Sequence, residues 1–228
     1  MFIALTLAAL FRWWQSADKK DQPLISATNP AYLSCTVWTG KAWTKPAARS
    51  ARTPQLTSSK GFRAYAEVKV EVDADGSCDN ISTLYVASGD AGQFQPVSMK
   101  TPSSSDGNGI RLIGWSPSGD KLLLEVTLWK YETDLGFDHV VVIYDAAAHS
   151  VKEDRKLDDA LTHHFGPDCE FELAAKGWKT DLQILVRISR TPKSDEYEQH
   201  FCVKQPLTLT YNIQTNTLGA PNRAKNAE

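Results

Sequence analysis

One stretch decides the fold that this sequence predicts: Ile113-Gly-Trp115-Ser-Pro117-Ser-Gly119-Asp-Lys-Leu-Leu-Leu-Glu125. Pro117 and Gly119 favour a tight turn, and the aliphatic residues of 122–128 are typical of a β-strand. Alternate leucines of that strand point to one face of a sheet. We expect Trp115 to fill the space between that sheet and a neighbouring one, and therefore to be buried.

Two further segments resemble this stretch. The first is Ser58-Ser-Lys-Gly61-Phe-Arg-Ala-Tyr-Ala-Glu-Val68, which matches 116–126 in its polar turn, its glycine and the strand that follows. The second is Gly177–Ile188, whose Gly-Trp pair matches Gly114-Trp115. Each unit is followed by a strand that carries a tyrosine, namely Tyr85, Tyr144 and Tyr211. A unit that recurs in this way predicts three copies of one supersecondary structure.

The rest of the chain is also rich in strand patterns. Alternating or β-branched runs occupy 62–72, 140–144, 184–188 and 207–213. One helix is well delimited, because Asp154 can cap its start and Gly166-Pro167 can end it. We therefore predict an all-β chain with one short helix.

The central unit resembles a known repeat. Residues 113–125, followed by Val142-Ile-Tyr144-Asp145-Ala-Ala, are similar to the TolB-type β-propeller repeat, with its Trp-Ser-Pro-Asp-Gly turn, hydrophobic strand and Tyr-Asp-like pair. Ser118 stands where the family usually has Asp, and the first unit lacks the Trp-Ser-Pro sequence. The resemblance implies three propeller-blade-like antiparallel β-meanders, forming a partial or small propeller because closed propellers typically have four to eight blades. It also implies a periplasmic or extracellular binding scaffold.

Length and composition indicate an ordinary globular protein. The chain has 228 residues, 42% of them hydrophobic, and a net charge of -2. This near-neutral balance argues against a strongly basic nucleic-acid-binding protein. We predict a single β-propeller-like domain over 22–218 and a polar tail over 219–228.

The first 21 residues are similar to a signal peptide. Residues 1–11 form an uncharged apolar run, which is too short to cross a bilayer because a spanning helix needs about 20 residues. The run fits the hydrophobic core of a secretory signal, although a basic start and a clean cleavage site are missing. We predict a periplasmic or secreted protein without a transmembrane span; the alternative is an amphipathic N-terminal helix.

The chain has four cysteines, Cys35, Cys78, Cys169 and Cys202, with no CxxC motif. Four cysteines allow three pairings, and their spacing alone does not choose among them. The repeat interpretation favours Cys169 with Cys202 and Cys35 with Cys78. The alternative is four buried thiols in a cytosolic protein.

Four aromatic residues are candidate ligand-binding residues. Trp38 and Trp43 lie in a stretch, 22–66, that contains no acidic residue, and Trp129 and Tyr131 lead into a loop. Exposed aromatic residues anchor interfaces, so a protein or glycan partner is a candidate occupant. The alternative is that these rings pack in the core. Separately, an open arc of three units leaves unpaired strand edges, which we expect either the segment 32–43 or a second copy of the chain to cover.

A short acidic segment is the candidate metal site. Glu71, Asp73 and Asp75 alternate and are followed by Gly76, as in a calcium-binding loop. The twelfth position is Ser82 rather than a bidentate glutamate, and Asp75-Gly76 also suits a hairpin turn. Calcium is the one cofactor that the sequence suggests.

No catalytic motif of a common enzyme class occurs in the sequence. It has no Gly-x-Ser-x-Gly elbow, HExxH motif, phosphate loop or dinucleotide fingerprint. The sequence therefore favours an exported, non-catalytic binding or scaffold protein. The alternative is a secreted hydrolase whose catalytic residues are dispersed over loops.

Overall fold

The structure is a computed structural model that describes residue 33 and residues 39–45, 47–98, 106–130, 137–153, 156–169, 171–189 and 203–219. These residues form one helix, α1 (Lys156–Phe165), and the strands β1 (Arg49–Arg52), β2 (Leu56–Thr57), β3 (Arg63–Val72), β4 (Cys78–Ala87), β5 (Gln95–Val97), β6 (Asp106–Trp115), β7 (Lys121–Lys130), β8 (Phe137–Asp145), β9 (Ser150–Glu153), β10 (Glu172–Thr180), β11 (Gln183–Ser189), β12 (Leu207–Asn212) and β13 (Thr217–Leu218). Within these ranges no helix is both long and apolar enough to cross a membrane.

The strands form three antiparallel sheets, each made from consecutive strands. Sheet I has the order β1-β3-β4-β5, with β2 also paired to β3. Sheet II has the order β6-β7-β8-β9, and sheet III has the order β10-β11-β12-β13. The prediction of an all-β chain with three antiparallel meanders and one short helix is confirmed. Each of the three similar sequence units falls in a different sheet.

Sheet II lies between the other two sheets, and this explains why its strand β7 carries apolar residues on both faces. One core cluster joins sheet I to sheet II and includes Leu84, Leu122 and Leu124. A second cluster joins sheet II to sheet III and α1, and includes Leu123 and Ile184. Successive residues of a strand point to opposite faces, so the leucines of β7 are buried on both sides.

Two tryptophans at matching positions connect neighbouring sheets. The indole N–H of Trp115, at the end of β6, donates to the carbonyl of Leu56 in sheet I at 3.4 Å. The indole N–H of Trp178, near the end of β10, donates to the carbonyl of Gly114 in sheet II at 2.9 Å. The ring of Trp115 packs against the first core cluster in the space between two sheets, as predicted, but it is half-buried rather than buried.

The hairpin turns repeat this pattern of connection. The hydroxyl of Ser59 donates to the carbonyl of Pro117 at 3.4 Å, and the backbone N–H of Ser118 donates to Oδ1 of Asp181 at 2.6 Å. Gly119 has a φ of +75°, and a side-chain carbon there would collide with Ser59. Only glycine adopts that conformation readily and leaves this space open, which accounts for the glycine in the turn.

The helix confirms its sequence prediction. Leu157 and Leu161 are buried one turn apart and face the second core cluster. The backbone N–H of Gly166 donates to the carbonyl of Thr162 at 2.8 Å, and Gly166 has a φ of +100°. A glycine with positive φ is a common end for a helix. Asp154, the predicted cap, lies outside the described residues.

Candidate functional site

The four predicted aromatic ligand-binding residues do not form a described cluster. Trp43 is 66% exposed, on a short segment before sheet I. The backbone of Trp129 belongs to β7, but its side chain lies outside the described part of the structure, as do Trp38 and Tyr131. The prediction that these residues bind a ligand therefore stays a prediction.

The predicted calcium segment forms a hairpin turn between β3 and β4. The backbone N–H of Ser77 donates to Oδ1 of Asp75 at 2.9 Å, and its hydroxyl donates to Oδ2 of Asp73 at 3.3 Å. No group of three histidine, cysteine, aspartate or glutamate side chains that could hold a metal occurs among the described residues, which include Glu71. The hairpin interpretation accounts for the contacts of this segment, and calcium binding here stays a prediction.

Two of the four cysteines are described. Neither Cys78, at the start of β4, nor Cys169, after α1, is a free thiol. Cys35 and Cys202 lie outside the described residues. Which cysteines are paired therefore stays a prediction.

A cavity of about 230 Å³, which we name the inter-sheet cavity, lies between sheets II and III. It lies near the ends of strands where turns of both sheets meet. Most of its lining is aliphatic or aromatic: Val141, Ile143, Leu157, Leu182, Ile184, Tyr211 and Ile213.

Strand alternation explains the apolar walls. Val141 and Ile143 are two residues apart on β8 and point together toward sheet III. Ile184 of β11 is buried opposite them, and Leu157 of α1 lines the same space. Leu182, in the turn between β10 and β11, is 43% exposed and marks where the cavity opens to solvent.

Three polar residues complete the lining, and we name them the rim: Lys121, Asp145 and Gln214. Lys121 and Asp145 are directly opposite each other at the ends of β7 and β8. The ammonium of Lys121 lies 3.4 Å from Oδ1 of Asp120. The hydroxyl of Ser118 and the nearby lysines outweigh partial burial and lower the pKa of Asp120 to about 2, so Asp120 is ionised at neutral pH.

No family model, curated protein or solved structure matches this chain.

Further along the same interface lies a buried ionic cluster of Arg111, Glu125 and His139. The guanidinium of Arg111 donates to both carboxylate oxygens of Glu125, at 3.3 and 2.7 Å. Nδ1 of His139 lies 3.6 Å from Oε1 of Glu125. The backbone N–H of Ala175 in sheet III donates to Oε2 of Glu125 at 3.0 Å. The carboxylate thus connects sheet II to sheet III.

The electrostatics of this cluster favour ionised Glu125. Burial acts against the charge, but hydrogen bonds from His139, Arg111 and Ala175 outweigh it and hold the pKa of Glu125 below its usual value. A carboxylate that is only 4% exposed and held by several donors is a structural element rather than a proton donor at neutral pH.

Sequence reasoning missed both the cavity and the ionic cluster. A partial signal was available, because Glu125 interrupts an otherwise apolar strand that is covered on both faces. The lining of the cavity gives no such signal, because its members come from four strands, the helix and two turns.

Proposed function

We propose that this protein is an exported, non-catalytic binding or scaffold protein with TolB-like β-propeller repeats, and that an apolar group of its ligand occupies the inter-sheet cavity. The observation that carries this proposal is the aliphatic cavity with a polar rim. Binding sites are typically concave and apolar, with a small number of polar groups that orient the ligand.

The size of the cavity limits what it can hold. Sites for drug-sized ligands typically measure about 300–1,000 Å³, whereas this cavity measures about 230 Å³. It therefore suits a compact small molecule or one apolar side chain of a protein partner.

The residue types of the lining support binding over the alternative, a secreted hydrolase. A hydrolytic site needs a nucleophile and a base within hydrogen-bond reach. The ten residues that line the cavity include no serine, threonine, cysteine or histidine. No contact among the described residues specifically favours a hydrolase.

Cavity filling tests the proposal, with cyclohexanol as a neutral apolar probe. We expect cyclohexanol to shift the amide NMR signals of residues that line the cavity. Ile213→Trp should weaken its binding at least tenfold, because the larger ring occupies the cavity. Thr215→Trp adds the same ring at an exposed position in the adjacent turn and should bind the probe as the unmodified protein does.

The experiment has a clear negative result. If neither cyclohexanol nor its charged analogues shift a cavity signal, or if Ile213→Trp and Thr215→Trp bind the probe equally well, the cavity is not the binding site. Thermal unfolding of both variants checks that each one is folded.

A contact near β4 supports the proposed disulfide pairing, and with it export. The side-chain N–H of Asn80 donates to the carbonyl of Leu33 at 2.8 Å. Cys78 and Cys35 are each two residues from this contact, and two residues span at most about 7 Å. A disulfide needs Cα atoms about 4.4–6.8 Å apart, and this contact brings Leu33, two residues before Cys35, close to the strand that begins at Cys78. That pairing leaves Cys169 for Cys202.

Peptide mapping without reduction tests the pairing. We expect one crosslinked peptide pair containing Cys35 and Cys78 and another containing Cys169 and Cys202, in protein recovered from an oxidising compartment. A crosslink between Cys78 and Cys202 would contradict the pairing, and free thiols at all four positions would contradict export.

A further inference from the structure

We propose that the ligand of the inter-sheet cavity carries a cationic group, such as an ammonium, beside its apolar body, and that Asp145 binds this group. The inference rests on the proposed function. It states that the rim favours a ligand with a cationic group and that Asp145 is the residue responsible.

The first argument is that the charge of Asp145 is not needed for its turn. Oδ1 of Asp145 accepts the backbone N–H groups of Ala147 at 2.9 Å and Ala148 at 3.1 Å. Asn212 ends the equivalent strand of sheet III, and its Oδ1 accepts the N–H groups two and three residues later at the same 2.9 and 3.1 Å. A neutral amide therefore makes this turn equally well, and the negative charge of Asp145 needs another explanation.

The second argument concerns the remaining carboxylate oxygen. Within the described part of the chain, Oδ2 of Asp145 makes no hydrogen bond or ion pair. Asp145 lines the cavity. A carboxylate with an available oxygen beside apolar walls is a binding group for a cationic donor, because a lower local dielectric strengthens charge pairing.

The third argument is the charge balance around the mouth. Around the mouth lie three carboxylates, Asp120, Asp145 and Asp181, and two ammoniums, Lys60 and Lys121, which leaves a net charge of -1 on these five side chains. Lys121 lies within 3.4 Å of Asp120 and is paired with it. A ligand anion would meet the unpaired charge of Asp145, whereas a ligand cation is attracted to it.

Three probes of the same shape test the inference: cyclohexylammonium, cyclohexanol and cyclohexanecarboxylate, titrated against the full chain at pH 7 and followed by amide NMR. We expect cyclohexylammonium to bind about tenfold more tightly than cyclohexanol, because a hydrogen bond between two charged groups is stronger than one from a neutral hydroxyl. Cyclohexanecarboxylate should bind most weakly. The preference for the ammonium probe should decrease with added salt.

Asp145→Asn is the decisive variant, because Asn212 shows that asparagine supports the same turn. We expect it to keep its affinity for cyclohexanol and to lose the tenfold preference for cyclohexylammonium. Asp90→Asn removes the same charge at an exposed position that does not line the cavity, and it should keep the preference.

Failure of this inference and failure of the proposed function give different results. If cyclohexanol and cyclohexylammonium bind equally, or if Asp145→Asn keeps the preference, the cation inference is overturned while the cavity remains a binding site. If none of the three probes binds, the proposed function fails and the inference fails with it.

Discussion

Replacing Arg111 with leucine is expected to lower the free energy of unfolding by about 3–5 kcal/mol at neutral pH, because removing one partner of a buried ion pair leaves the other charge uncompensated. The side chains of Arg111 and Glu125 are 17% and 5% exposed. Water therefore has little access to the Glu125 carboxylate and replaces the lost guanidinium poorly. Urea unfolding of the variant and the unmodified protein measures the difference.

The effect should depend on pH, with a sign that follows from the pKa of Glu125. In the unmodified protein this pKa lies below its usual value, so the stabilisation is complete above the unfolded pKa of about 4.3 and is lost as pH falls through the folded value. In the Arg111→Leu variant, burial without the guanidinium raises the pKa. Protonation of Glu125 then removes the uncompensated charge in the variant. The difference in free energy of unfolding between the two proteins should therefore shrink toward pH 4.

A double variant separates the charge from the packing. Arg111→Leu combined with Glu125→Leu removes both charges, and buried ion pairs replaced by apolar residues are often close to neutral in stability. We expect the double variant to be more stable than Arg111→Leu alone at neutral pH. An Arg111→Leu variant that loses less than about 1 kcal/mol, or a double variant that is the less stable one, would contradict a structural role for this pair.

Trp115→Ala should lower the free energy of unfolding by about 3 kcal/mol. The ring packs between sheets I and II, 5.9 Å from the ring of Phe62 and 6.4 Å from that of Tyr144. Its removal leaves a cavity at this interface and also removes the hydrogen bond to Leu56. Chemical denaturation monitored by circular dichroism measures the loss.

Two controls show whether packing or polarity is responsible. Trp115→Phe keeps a ring but loses the indole N–H, so it should cost only about 1 kcal/mol. Trp43→Ala makes the same truncation at a side chain that is 66% exposed and should cost less than about 1 kcal/mol. If Trp115→Ala is no more destabilising than Trp43→Ala, the packing of sheet I on sheet II does not depend on this ring.

Much of the fold could be predicted from the sequence because its signals are local. The Gly-Trp pairs, the turn at Pro117 and Gly119, and the alternation of β3 and β11 each depend on neighbours within one hairpin. The prediction of three meanders and of the helix is accordingly confirmed. The propeller resemblance stays a prediction, because three antiparallel meanders do not by themselves show membership of a family.

The site could not be predicted because it depends on register and on contacts between sheets. Arg111 is opposite Glu125 across β6 and β7, and a bulge between Leu112 and Gly114 then shifts the pairing so that Trp115 is opposite Leu122. A one-residue shift moves every side chain of a strand to the other face. No local pattern in this sequence fixes that bulge, so neither the ionic cluster nor the cavity beside it was predicted.

The position of sheet II between its two neighbours has a consequence for how the molecule folds. Each inter-sheet hydrogen bond described above joins sheets that are adjacent in the chain, as in a repeat protein whose units contact only their nearest neighbours. In such a molecule, each unit stabilises only the units next to it in the chain. Sheets I and III are energetically coupled through sheet II, so a substitution that destabilises the central meander should weaken both terminal sheets, whereas one in a terminal sheet should affect mainly its neighbour.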